Sequence, residues 1–285
     1  MSQVTQQAAA APARRSPRPY PAAKRAARRA LLALGRVRRI HIIGCSRSGT
    51  SMFQLSLQAF ERVAMYTREA DAVHFPSLSD ALGLAFNPTL RRQFYITKRQ
   101  PHWYPPEALA ALERECRTEG VGLIHLVRDP RDVMTSRHKK ATDEPGQYYV
   151  DEELWKRSID AADGLLGRLA GVVPVTVVRY EDICLQPARG LELLTSTFGL
   201  KLRRDVASWA ALTSYVRGVS SQLINNMHGI RDIDARSIGR WSKNPETRAH
   251  VESLLRDSSI AAELKAFMSK YGYEPAAQVT GEVRV

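Results

Sequence analysis

From residue 39 onward, short apolar runs alternate with segments whose apolar residues recur at helical spacing. β-branched and aliphatic runs predict strands, and apolar residues three or four positions apart predict helices. Segment 76–100 is predicted to be mostly helical with loops, and the chain from Pro187 onward to be mainly helical. Strands are predicted at 39–44, 63–66, 121–127 and 172–178, and helices at 51–60, 106–116, 130–140 and 154–169. This alternation predicts a single α/β domain, with a central parallel sheet flanked by helices and a helical C-terminal part.

The positive charge is concentrated at the N-terminus. The net charge is +13, but residues 1–39 carry ten basic residues and no acidic one, which leaves about +3 for the rest. A mildly basic domain suits an enzyme that handles a polyanionic small molecule, and no nucleic-acid partner is predicted. We therefore predict a disordered or partly helical basic tail at 1–37, a domain at 38–274 and a C-terminal tail at 275–285. The first tail could be solvated, act in targeting or touch a membrane surface peripherally.

The cysteines indicate a reducing compartment. Cys45, Cys116 and Cys184 lie far apart, are odd in number and lack the spacing of metal ligands. This usage argues against a disulfide framework and a metal site, and predicts a cytoplasmic protein. No run approaches the roughly 18 apolar residues that span a bilayer, so no transmembrane segment is predicted.

A glycine-containing loop, Gly44-Cys45-Ser46-Arg47-Ser48-Gly49-Thr50-Ser51, lies between a predicted strand and a predicted helix. In this setting backbone amides converge on a phosphate. The ATP-binding form of such a loop, GxxxxGK[ST], carries a lysine that reaches the β- and γ-phosphates. Here Thr50 occupies the lysine position, and Arg47, three residues earlier, is the cation inside the loop. A cation displaced in this way can stabilise the charge that develops on a bridging oxygen when a group is transferred.

A second anion-binding pair is predicted at the next buried strand. Arg128 ends that strand, and Ser136 is expected two turns into the following helix, so both can approach one anion at the carboxyl edge of the sheet. Asp129 is expected to cap this helix, with Pro130 in its first turn. Asp132 also falls in the first turn, where the helix dipole favours a carboxylate. Neither carboxylate is assigned a catalytic role.

Both motifs resemble those of the sulfotransferases that use 3′-phosphoadenosine-5′-phosphosulfate (PAPS). Arg47-Ser48-Gly49-Thr50-Ser51 matches the family's 5′-phosphosulfate pattern [KR]-[ST]-G-T-[ST], with the arginine found in bacterial-type members. Arg128 and Ser136 match the 3′-phosphate motif. Residues 177–183 match a late strand ending in RYEDL-like residues, and 237–241 resemble a GRW-type segment that closes over the nucleotide.

The resemblance implies a P-loop-like sulfotransferase fold over about residues 38–274, PAPS as co-substrate and no metal. It implies that Arg47 contacts the bridging oxygen and the sulfuryl group, and that Ser48, Gly49, Thr50 and Ser51 hold the 5′-phosphate. The residues assigned to the 3′-phosphate are Arg128, Ser136 and Arg240. The implied acceptor is a hydroxyl or amine of a small molecule, lipid or carbohydrate.

Attack on sulfur requires a base to accept the acceptor's proton. Members of this family carry a glutamate shortly after the second strand, where this chain has Glu69, and others use a histidine. The rival groups are Glu61, Asp71, His74 and His102. Lys98 lies where relatives have a lysine near the transferred group, although 96–101 departs from their DKTP-like form.

Two other functions are compatible with the sequence. A nucleotide-dependent phosphotransferase on a related fold would require Mg²⁺ and a lysine where Thr50 stands. A non-catalytic protein could instead bind a membrane or nucleic acid through its basic tail, and would not depend on Arg47.

Overall fold

A five-stranded parallel sheet forms the centre of the molecule. The computed structural model describes residues 22–34, 36–65, 81–82, 85–86, 93–137, 147–206, 208–219, 221–227 and 229–273. The strands are β1 (Val37–Ile43), β2 (Val63–Met65), β3 (Gln93–Lys98), β4 (Gly122–Val127) and β5 (Val175–Arg179). Their order is β2-β3-β1-β4-β5, and all neighbouring pairs are parallel. The predicted α/β class with a central parallel sheet is confirmed.

Helices connect the strands and form most of the C-terminal part. They are α1 (Ala22–Leu34), α2 (Thr50–Ser56), α3 (Pro106–Glu119), α4 (Pro130–Met134), α5 (Glu152–Leu169), α6 (Tyr180–Leu185), α7 (Pro187–Phe198), α8 (Leu212–Tyr215), α9 (Ser221–Asn226), α10 (Pro245–Asp257) and α11 (Ala261–Lys270). Short 3₁₀ helices occupy Leu57–Ala59, Pro101–Trp103, Ala235–Ser237 and Arg240–Ser242. Within these described segments, no helix has the length and apolarity needed to cross a membrane.

Strand β3 corrects the helical prediction for segment 76–100. Residues Gln93–Lys98 pair with both β1 and β2, and Phe94, Tyr95 and Ile96 are consecutive buried residues. A parallel strand covered on both faces has no alternation of apolar and polar positions, so periodicity cannot separate it from a buried helix. The rest of this segment lies largely outside the described residues.

The two faces of the sheet bury separate cores because side chains alternate along each strand. One face is covered by α2, α7 and α8, and its strand residues include Ile40, Ile42, Ile124 and Leu126. The other face is covered by α3, α5 and α11, and includes Ile43, Leu123 and Val127. By the same alternation His41 and His125 belong to this second face, and both are completely buried.

The predicted basic helix near the N-terminus is present as α1 and packs against the domain. Leu32 and Arg28 are buried, and Arg29 forms an ion pair with Glu119 at the end of α3. Glu119 also pairs with Arg39 on β1. The packed part of the molecule therefore reaches back to α1. Residues 1–21 and 274–285, which include most of the two predicted tails, lie outside the described residues.

Candidate active site

The loop between β1 and α2 has a backbone that requires its two glycines. A Cβ atom at Gly44 would lie 2.6 Å from the carbonyl oxygen of Leu126. Gly49 has φ of +88°, and a Cβ there would lie 2.7 Å from the ring of Tyr180. Arg47 also adopts a left-handed conformation, with φ of 69°. A non-glycine residue held there is strained, and such strain is concentrated at functional sites.

The hydroxyl groups of this loop are held in a buried setting. Ser46, Ser48 and Thr50 are at most 5% exposed, whereas Ser51 is half-buried. The Oγ of Ser46 lies 3.3 Å from Nε2 of His102, whose Nδ1 lies 2.8 Å from Oγ of Ser158 on α5. Burial raises the pKa of the Cys45 thiol to about 12, so the loop's cysteine is an inert packing residue.

Arg47 and Arg128 meet above the carboxyl ends of β1 and β4. The Nε of Arg47 donates to Oγ of Ser136 at 2.8 Å. Arg128 donates to the carbonyl oxygen of Arg47 at 3.1 Å and to that of Ser237 at 2.5 Å. The sheet order places β3 and β4 on opposite sides of β1, which makes the β1–β4 crevice the topological switch point where open α/β sheets bind ligands. The structure thus brings together three of the predicted anion-binding side chains.

The electrostatics of this crevice favour an anion. Burial lowers the pKa of Arg47, and the positive charges of Arg128 and Arg240 lower it further, while Tyr149 acts in the opposite direction. The guanidinium of Arg47 is therefore repelled by those of Arg128 and Arg240, and a bound polyanion would relieve that repulsion. Arg240 itself is exposed at the start of its 3₁₀ helix, whereas its neighbour Trp241 is buried.

Ser136 lies beyond the end of its helix rather than two turns into it. Helix α4 ends at Met134, and the Ser136 N–H donates to Val133 O at 3.2 Å in a final 3₁₀-type turn. The Arg131 carbonyl oxygen accepts both the N–H and the hydroxyl of Thr135. Freed from the helix, Ser136 faces Arg47.

The predicted cap at Asp129 is confirmed, since its side chain accepts from the Arg131 N–H. Asp132 lies in the first turn of α4, as predicted, and has a further role that the sequence did not indicate. Its carboxylate accepts the N–H groups of Gly239 and Trp241 at 2.8 and 3.1 Å. The ring of Trp241 also lies under the Arg131 guanidinium, at 4.5 Å. Asp132 therefore fastens the GRW-type segment to the end of β4, which places Arg240 beside the crevice.

Tyr180 is a site residue that the sequence analysis missed. Its ring lies 4.5 Å from the Arg128 guanidinium and against Gly49, and its hydroxyl is 3.0 Å from Oγ of Ser237. Burial raises its pKa to about 12, so the phenol stays neutral. Because Tyr180 directly follows β5, its position at the end of a parallel strand was the signal that could have identified it.

Glu181, just after the end of β5, ties two distant segments together. It accepts the Asp129 N–H at 2.9 Å and the Tyr273 hydroxyl at 3.0 Å. Burial raises the pKa of Glu181, and these two donors oppose that rise. Its role is structural, because both oxygens bind protein groups.

Lys98 is almost completely buried at the carboxyl end of β3. It is in register with Ile42, two residues before the loop begins at Gly44. Glu69, Asp71 and His74 lie outside the described residues.

Two of the rival candidates for the base, Glu61 and His102, lie within the described residues. Glu61 lies in the turn before β2, at the amino edge of the sheet and away from the crevice. His102 is within the core, with contacts to a hydroxyl at each ring nitrogen. Among the described residues, no group of three or more His, Cys, Asp or Glu side chains could hold a metal ion.

Comparison with solved structures finds a distant likeness. The chain is similar to mouse sulfotransferase SULT7A1 complexed with PAP, with a TM-score of 0.44 and 13% sequence identity, over 83% of this chain and 93% of that chain. No protein-family model matches the sequence, and no curated protein matches it. The likeness is too distant to equate the two functions, so the chemistry rests on the site itself.

Proposed function

We propose that this chain is a sulfotransferase that moves a sulfuryl group from PAPS to a hydroxyl or amine of an acceptor. The observation that carries the proposal is the convergence of Arg47, Ser136 and Arg128 in the crevice between β1 and β4. These residues belong to two motifs separated by some eighty positions, and each motif alone matches the corresponding pattern of PAPS-dependent enzymes. Their contact in space supports one nucleotide site.

In the proposed complex, the hydroxyl and amide groups of Ser48–Ser51 hold the 5′-phosphate. Arg128, Ser136 and Arg240 hold the 3′-phosphate. Arg128 is oriented for this by its bonds to the carbonyls of Arg47 and Ser237, and by Asp132 at 3.6 Å. Because a guanidinium can donate to phosphate and carbonyl oxygens together, these bonds orient Arg128 and leave its charge for the ligand.

The proposed transfer is an in-line displacement at sulfur. The bond from the acceptor oxygen or nitrogen to sulfur forms as the bond from sulfur to the bridging oxygen breaks, releasing 3′-phosphoadenosine-5′-phosphate (PAP). Arg47 stabilises the negative charge that develops on the bridging oxygen, and Lys98 is the second cation assigned to the transferred group. The carboxylate of Glu69 accepts the proton of the acceptor.

A nucleotide-dependent phosphotransferase is the competing function. It would use the same crevice, but it needs a cation deep in the phosphate loop where Thr50 stands, and it needs Mg²⁺. Thr50 is buried against Gly44, so this position lacks a side chain able to reach a γ-phosphate.

Thermal-shift measurements separate these functions. The full chain is heated with PAP, with ATP, and with ATP plus Mg²⁺. We expect PAP to raise the melting temperature most, because ligands stabilise the folded state in proportion to their affinity. Stabilisation only by ATP plus Mg²⁺ would establish the phosphotransferase instead.

Variants test whether the proposed crevice is the site. Arg128→Ala should lose the PAP shift, while Arg157→Ala, which removes the same charge from an exposed position on α5, should keep it. Deletion of residues 1–21 should leave the shift intact. A shift that depends on those residues but not on Arg128 would favour a binding protein that acts through its basic tail.

A further inference from the structure

One tryptophan differs from the others in its exposure to solvent. Trp155, Trp209 and Trp241 are at most 3% exposed, whereas Trp103 is 46% exposed. Burial of a large aromatic ring stabilises a folded protein. Because nearly half of Trp103 stays in contact with water, it contributes less of this stabilisation than a buried tryptophan does. Exposed aromatic rings of this kind are typical of binding surfaces.

Trp103 lies next to the phosphate loop. It ends the 3₁₀ helix Pro101–Trp103, which follows β3 at the carboxyl edge of the sheet. The centroid of its ring is 5.1 Å from that of His102, and Nε2 of His102 is 3.3 Å from Oγ of Ser46. Arg47 directly follows Ser46. The indole is therefore separated from the loop by a single imidazole ring.

The turn that carries Trp103 is held in place on several sides. The Trp103 N–H donates to Gln100 O at 3.1 Å, and Arg99 donates to Trp103 O at 3.3 Å. His102 is fixed to α5 through Ser158. The indole is thus presented to solvent from a rigid support, which reduces the entropy lost when a ligand binds to it.

We propose that Trp103 is the platform on which a ring of the acceptor lies during sulfuryl transfer. This inference rests on the proposed function and deepens it, because it names the acceptor's chemical class. The ligand is a ring with a flat apolar face that carries the attacking hydroxyl or amine. Aromatic rings and pyranose rings share this face, whereas a flexible aliphatic chain would lose conformational freedom on a flat surface.

Iodide quenching of tryptophan emission tests contact with the platform. Because the other three tryptophans are buried, we expect iodide to quench mainly Trp103, and Trp103→Phe should remove most of this quenching. The PAP-loaded chain is then mixed with p-cresol, with methyl β-glucopyranoside, or with 2-methyl-2-propanol as a hydroxyl compound without a ring. Protection by p-cresol indicates an aromatic acceptor, and protection by the glucoside indicates a carbohydrate. Protection by neither, or equal protection by the alcohol, overturns the proposal.

Affinity measurements test whether the ring contributes to binding. Calorimetry with the protecting compound should show affinity about tenfold weaker in Trp103→Ala and largely kept in Trp103→Phe. Val172→Ala is the matched control, because Val172 is 48% exposed and lies just before β5, at the amino edge of the sheet. Equal affinities in wild type and Trp103→Ala would refute the platform.

The two proposals fail in different ways. All three variants should keep the thermal shift with PAP, because Trp103 is assigned only to the acceptor. Loss of the wild-type PAP shift would remove the proposed function itself. An intact PAP shift with unchanged ring affinity in Trp103→Ala would remove only the platform.

Discussion

Two buried histidines should make the molecule less stable below pH 6.5. His41 and His125 lie within the core on the α3–α5 side of the sheet. Burial lowers the pKa of His41 from 6.5 to about 3, helped by the charges of Arg39, Arg99 and Lys98. Burial likewise lowers the pKa of His125 from 6.5 to about 4. The folded state therefore resists protonation of both rings.

The sign and size of the effect follow from proton linkage. Below pH 6.5 the unfolded chain binds these protons while the folded chain does not, so stability falls as the pH falls. The loss from each histidine stops growing below its folded pKa. Between pH 7.5 and pH 5.5, each histidine should lower the free energy of unfolding by about 1.3 kcal/mol, which is about 2.7 kcal/mol for the pair.

His125→Leu isolates one half of this effect. Neither ring nitrogen of His125 has a hydrogen-bond partner among the described residues, so leucine should cost little at pH 7.5. His41 is a poorer choice, because its nitrogens contact the hydroxyls of Thr97 and Tyr104 at 2.7 and 2.9 Å. Urea unfolding at both pH values should show that His125→Leu loses about 1.3 kcal/mol less than wild type.

The control is His250→Leu. His250 is half-buried, and burial also lowers its pKa, but it lies against Tyr148 near the surface. Its removal should change the pH dependence less than removal of His125. Equal losses in wild type and His125→Leu would refute the claim that a buried neutral ring controls acid stability.

Four further predictions concern the proposed reaction and the phosphate loop. Arg128→Ala should weaken PAP binding by about tenfold to a hundredfold, because a charge-assisted contact is lost; unchanged affinity in calorimetry would contradict its assignment. Arg47→Ala should lower the turnover number by about a hundredfold or more while PAP affinity changes less, and an equal effect on both would argue against transition-state stabilisation. Glu69→Gln should lower turnover by at least about a hundredfold, and wild-type turnover would exclude Glu69 as the base. Gly49→Ala should lower the free energy of unfolding by about 2–4 kcal/mol, measured by urea unfolding. The alanine Cβ would clash with the Tyr180 ring, and alanine is strained at this positive φ. An unchanged free energy of unfolding would mean that the loop can relax.

Four of the five strands and the two motifs were predictable because they depend on local sequence. β1 and β4 are apolar runs that end where charged or glycine residues begin, and Arg128 directly follows β4. Since parallel strands end at the same edge, the approach of Arg128 to the first loop follows from the order of elements. The contact between Arg47 and Ser136 also depends on the end of α4 at Met134, which the sequence pattern did not predict.

Other features depend on contacts that local sequence does not encode. Strand β3 has consecutive buried residues because both faces of the sheet are covered, so its pattern resembled that of a buried helix. Helix α4 ends at Met134 in a 3₁₀-type turn in which the Ser136 N–H donates to Val133 O, although the sequence pattern predicted a helix to residue 140. Asp132 was assigned to the helix dipole, but its true partners are amides more than a hundred residues later. Sequence position alone cannot identify such partners.

The ties made by Asp132 and Glu181 have a consequence for synthesis of the protein on the ribosome. The hydrogen bonds of Asp132 to the amides of Gly239 and Trp241, and of Glu181 to the hydroxyl of Tyr273, can form only after those later residues have been translated. The first half of the site is translated early, whereas its closing segment and the second donor to Glu181 follow many residues later. A nascent chain shorter than about residue 241 therefore exposes the arginines of the crevice without their full set of ties. The crevice can therefore assemble with its full set of ties only after residues 239–273 have also emerged from the ribosome.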